Sequence, residues 1–80
     1  MTIRHIFARL KAMKTLYDVQ QLLKHYGVVV YVGKRLYDIE LMKLELKSLY
    51  DAGILDRQRY LLGAGILQRE HDLEVEREEK

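Results

Sequence analysis

Not one proline interrupts this 80-residue chain. Proline usually supplies about 5% of a sequence and is the strongest helix breaker, because it lacks an N–H and clashes with the preceding turn. A chain without it is free to build long helices. Cysteine is also absent, which excludes a disulfide-stapled scaffold, a thiolate nucleophile and sulfur-ligated zinc, and suits a reducing cytoplasm. No apolar run approaches the ~18 residues needed to span a membrane. The length allows one domain with one core.

Hydrophobic spacing divides the chain into three helices. Thr15 and Asp18 form a capping-box pair, Leu16, Val19, Leu22, Leu23 and Tyr26 share one face, and Gly27 is the natural left-handed C′ residue. The first helix is therefore expected at about 16–26. Val28-Val29-Val30-Tyr31-Val32, closed by Gly33, is rich in β-branched and aromatic residues and reads as extended. No other segment alternates like a strand, so a short connector is favoured over a strand that pairs with another copy.

The second helix, about 36–52, carries two apolar stripes. One is Leu36, Ile39, Met42, Leu46, Leu49 and Tyr50; the other is Tyr37, Leu41, Leu44 and Ser48, nearly opposite. A helix apolar on two sides has neighbours on two sides. The second face is expected to meet the N-terminal arm or another subunit. Asp56 is an N-cap for a third helix over about 57–76, with Leu55 and Tyr60 placed as a hydrophobic staple. Gly63 and Gly65, costly inside a helix, point to a close helix approach or a kink. The reading is an all-α, compact three-helix bundle with a short extended connector between helices one and two.

Charge is uneven. Residues 1–12 form a basic amphipathic arm, with Ile3, Ile6, Phe7 and Leu10 on one face and Arg4, Arg9 and Lys11 elsewhere. The arm lacks the long apolar stretch and cleavage site of a secretory signal. A loosely docked arm is favoured over a membrane-surface anchor. Residues 13–68 are the helical domain. Residues 69–80 carry Glu70, Asp72, Glu74, Glu76, Glu78 and Glu79 against Arg69, Arg77 and Lys80, and read as a charged helix end or tail projecting into solvent.

Catalytic chemistry is not visible. No phosphate-binding glycine fingerprint is present, and the hydroxyls of Thr2, Thr15 and Ser48 have no nearby His–acid pair in sequence. Glu70, His71 and Glu74 share a helix face but read as solvated rather than as metal ligands. His25, beside Lys24, reads as a helix C-terminal dipole partner. The expectation is a non-enzyme with no cofactor, no metal and no small-molecule substrate.

Two surfaces stand out. Lys24, His25, Tyr26, Tyr31, Lys34, Arg35 and Tyr37 interleave cations and aromatics around the connector. Single-stranded nucleic acid is held in this way, by cations on phosphates and aromatic faces on bases. The plainer alternative puts Tyr26 and Tyr31 in the core and leaves the lysines solvated. Arg57, Gln58 and Arg59, opening the third helix after a short turn, could read duplex DNA, although such hairpins are more often plain bundle geometry.

From Met13 onward the chain resembles the YqgQ-like family of small bacterial proteins. The residues that carry the likeness are Tyr17-Asp18-Val19-Gln20-Gln21-Leu22-Leu23-Lys24, Tyr26-Gly27, Tyr31, Gly33, Arg35, Asp38-Ile39-Glu40-Leu41-Met42 and Leu49-Tyr50. The likeness spans about residues 13–67, and residues 1–12 depart from it. It implies a compact helical fold, a cytoplasmic bacterial protein and a role in binding single-stranded nucleic acid, without naming a site. The leading expectation is single-stranded DNA or RNA binding, with Lys24, Lys34 and Arg35 on phosphates and Tyr31 and Tyr37 on bases. The alternative is a protein–protein interaction or self-association module working through Tyr37, Leu41 and Leu44.

Overall fold

The computed structural model describes residues 13–79, so the expectations for the arm at 1–12 lie outside the described residues. Three helices follow in order: α1 (Leu16–His25), α2 (Arg35–Asp51) and α3 (Arg57–Glu78). No strand occurs among the described residues. The all-α three-helix fold is therefore as expected.

Local chemistry sets the boundaries. The Thr15 side chain accepts from the Asp18 N–H, while the Asp18 carboxylate accepts from the Thr15 and Lys14 N–H groups. Helix α1 ends in a Schellman turn: the Val28 N–H reaches the Leu23 carbonyl and the Gly27 N–H reaches that of Lys24, with Gly27 at φ 81°. The same pair of bonds closes α2 at Gly53 and Ile54. Asp56 accepts from the Arg59 N–H and caps α3.

Helices α2 and α3 run antiparallel. Tyr50 meets Tyr60, Leu46 meets Gly63, Lys43 meets Gln68, Glu40 meets His71, and Arg35 meets Glu70 and Glu74, so one number falls as the other rises. Helix α1 packs on both. The core contains Val19, Leu23, Ile39, Met42, Leu46 and Leu67, all nearly inaccessible to solvent, and Met13, Leu16, Leu55 and Ile66 complete it. Of the two α2 stripes, the one holding Ile39, Met42 and Leu46 is buried, and Tyr37, Leu41 and Leu44 are exposed.

Residues 69–78 are a helix end, and only part of its charged surface projects into solvent. Helix α3 continues to Glu78. The Arg35 guanidinium lies 3.1 Å from Glu70 and 3.5 Å from Glu74, whose side chains are only 15% and 13% exposed. Lys34 reaches Glu78 at 3.9 Å and His71 Nε2 lies 3.2 Å from Glu40. Glu70 and Glu74 thus face the start of α2, with Arg77 adding a 2.8 Å contact to Glu74 from within α3, while Asp72, Glu76, Glu78 and Glu79 remain exposed.

Candidate nucleic-acid interface

The connector between α1 and α2 is neither helix nor strand, and burial alternates along it from Val28 to Tyr31 before Val32, which is also exposed. Val28 and Val30 pack against the core, whereas Val29 and Tyr31 point to solvent. Glycines at positive φ bracket it, Gly27 at 81° and Gly33 at 100°. Either conformation is strained for a side-chain-bearing residue, so the connector enters and leaves by turns that glycine permits. Its far end is tied down by Asp38, whose carboxylate accepts the Val32 N–H from the first turn of α2. Sequence reasoning missed this tie. An Asp in a helix's first turn after a loop was the available signal.

Tyr31 is 84% exposed, more than any other large apolar side chain described. Tyr26, by contrast, packs against the core with the His25 ring edge-on at 5.0 Å. The plainer expectation thus holds for Tyr26 and fails for Tyr31, because the alternation that turns Val28 and Val30 inward turns Tyr31 outward. Beside the connector lies a groove of about 180 Å³, bordered by Gln20, Gln21, Lys24 and Val28–Val30 and floored by Leu23 and Met42.

The cations divide into two groups. Lys24 is exposed on the last turn of α1 and has no ion-pair partner among the described residues. Lys34 sits 5.0 Å above the Tyr37 ring, a cation–π contact, and also faces Glu78. Arg35 is held by Glu70 and Glu74 and acts first as the clamp between α2 and α3. Tyr37 stands with Leu41 and Leu44 on the outer face of α2, a turn away from the connector.

The other candidates find ordinary partners. Arg59 folds onto Asp56, which holds the Asp56 carboxyl below the usual carboxylate range and the Arg59 guanidinium above its own. That leaves Arg59 occupied at the helix start considered for duplex reading. Among the described residues, no group of three or more His, Asp or Glu is arranged to hold a metal ion. No described helix is long and apolar enough to cross a membrane.

A family model described as YqgQ-like matches residues 13–73. This chain belongs to the YqgQ-like family. It is also 45% identical over 58 residues to the Bacillus subtilis (strain 168) protein named "Uncharacterized protein YqgQ", covering 72% of this chain and 82% of that relative. The YqgQ-like match begins at Met13, a buried member of the core.

Proposed function

We propose that this protein binds single-stranded nucleic acid, DNA or RNA, in the bacterial cytoplasm, without catalysis, through the connector. The observation that carries the reading is Tyr31: an aromatic ring standing in solvent on an extended segment with lysines near both ends. Burying it against its own fold was the alternative, and the fold turns it away. A base stacked on such a ring gains ~1–3 kcal/mol. Lys24 and Lys34 lie near the two ends of the connector and would take phosphates, while Val29 adds apolar surface beside the ring. The groove next to Val28–Val30 offers the amides of Gln20 and Gln21 to a base edge. The family resemblance implies the same ligand class.

With Arg35 committed to Glu70 and Glu74, and Lys34 held only by the longer 3.9 Å contact to Glu78, Lys24 and Lys34 are the two cations that would take phosphates. The log–log salt slope is then about −1.4, from ~0.7 per contact on single strands. Fluorescence anisotropy of a labelled oligonucleotide, single-stranded beside its duplex, tests this at two salt concentrations. Tyr31→Ala should weaken single-strand binding about tenfold, and Lys24→Ala/Lys34→Ala should flatten the salt slope. Binding indifferent to both variants, or lost only in a chain beginning at Met13, would move the activity to the basic arm.

A further inference from the structure

The outer face of α2 is the second surface. Tyr37, Leu41 and Leu44 are exposed there at four- and three-residue spacing, with Leu44 64% accessible. The same spacing extends through Ser48 to Asp51 and back to Lys34. This is the seam of a two-helix contact. Its flanks carry Glu40 and Lys47 on one side, Asp38 and Glu45 on the other.

We infer that this face pairs with a second copy of the same chain, α2 against α2 in antiparallel register. Charge decides the register. Running the second helix in reverse places Leu41 against the second copy's Leu44 and Tyr37 against its Ser48. Lys34 then faces the second copy's Asp51, and Glu40 faces its Lys47, in exchange for the surface pairs these side chains make within one chain, Lys34 with Glu78, Lys47 with Asp51 and Glu40 with His71. Two-fold symmetry makes every one of these contacts twice. In a parallel pair, Glu40 would instead face the second copy's Glu45, and Lys34 its own copy, so like charges would meet. The remaining antiparallel contact, Asp38 with the second copy's Glu45, is unfavourable. The Asp38 carboxylate accepts from the Val32 N–H within its own chain, which offsets part of that repulsion.

Three apolar side chains per copy fall short of the ~800 Å² per partner of a standard interface. The dimer is therefore weak and concentration-dependent. Helix α2 is 17 residues long, or ~25 Å, so the pair carries its two connectors at opposite ends. This inference does not depend on nucleic-acid binding, and its test leaves every connector residue unchanged.

Analytical ultracentrifugation of the full chain from about 10 μM to 1 mM should show reversible monomer–dimer exchange. Leu44→Glu should weaken it at least tenfold while circular dichroism keeps its helical signal. Glu40→Lys and Lys47→Glu should each impair self-association, and mixing the two variants should restore it, because each repulsive pair becomes an attractive one. A strict monomer at 1 mM would overturn the proposal, as would a dimer indifferent to Leu44→Glu. Tighter pairing of Glu40→Lys alone would indicate the parallel register and overturn the antiparallel one. A dimer that forms only when the chain begins at Met13 would give the face to the arm instead, and one lost on that truncation would place the contact in the arm.

Discussion

The two ends of the α2–α3 seam are built from different materials. Near the turn that joins the helices, Tyr50 stacks on Tyr60 at 4.4 Å and 8°, Leu46 lies over Gly63, and Leu55 and Leu67 are buried alongside. At the other end the contacts are Arg35 with Glu70 and Glu74, Lys34 with Glu78 and Glu40 with His71. One end is held by area and shape; the other adds to the buried Ile39 a set of ion pairs between a half-exposed Arg35 and the mostly buried Glu70 and Glu74. Removing apolar area costs nearly the same at low and moderate sodium chloride, whereas exposed ion pairs weaken as the Debye length contracts. Leu46→Ala is therefore expected to lose about 2–5 kcal/mol, equally at low and high salt. Arg35→Ala should lose about 1 kcal/mol or less, discounted for its exposure, and most of that loss should vanish near 0.5 M salt. Urea titrations at two salt concentrations check this. A salt-independent Arg35→Ala effect of Leu46 size would abolish the distinction.

Gly63 and Gly65 sharpen it on a scale of about 1 kcal/mol. Both sit inside α3, where alanine is favoured over glycine by ~1 kcal/mol. A Cβ on Gly65 meets nothing within 4 Å, whereas one on Gly63 comes to 2.9 Å from a Leu46 methyl. Leu46 is fully buried against the core and has little room to retreat. Gly65→Ala should thus stabilise by about 1 kcal/mol, and Gly63→Ala should give that gain back to overpacking and fall ~1–3 kcal/mol below it. Equal denaturation midpoints for the two variants would mean that the helices do not approach closely at Gly63.

Much of this was legible in the sequence, and the misses share a cause. The Thr15–Asp18 cap, the glycines that close α1 and α2, and the choice of Asp56 as N-cap are decided within four residues, where spacing is sufficient. The two stripes on α2 were equally visible, since periodicity is also local. The fate of Glu70, Glu74 and Glu78 was not, because their partners Arg35 and Lys34 lie more than thirty residues upstream and meet them only once the hairpin forms. A charged stretch with few partners in its own helix looks solvated until then. Tyr31 was ambiguous for a related reason: alternation along the connector is written in the sequence, but which parity faces the core is set by where α1 and α2 lie. The candidate ligand surface was therefore readable as composition and became geometry only after folding, when Arg35 left it and Tyr31 remained.

The smallest expected effect concerns the helix caps, which neither end of the seam supplies. Asp18 accepts backbone N–H bonds from Lys14 and Thr15, and these hold its carboxyl below the ordinary value; Asp56 is lowered by its bonds from Arg59. For a carboxylate depressed in the folded state, the contribution to stability is complete above the unfolded pKa, near 4. It is lost as pH falls through the folded value. Asp56 is exposed and Asp18 half-exposed, so the effect is a cap's worth, about 1 kcal/mol each at most. Thermal melts from pH 6 to pH 2.5 should show Tm falling below about pH 4, and Asp18→Asn/Asp56→Asn should start lower at pH 6 and fall less. Because asparagine can still accept the same N–H bonds but does not titrate, the difference between the two curves isolates the charge at the helix starts. Parallel curves would mean that the negative charge of Asp18 and Asp56 adds nothing to the hydrogen bonds they accept.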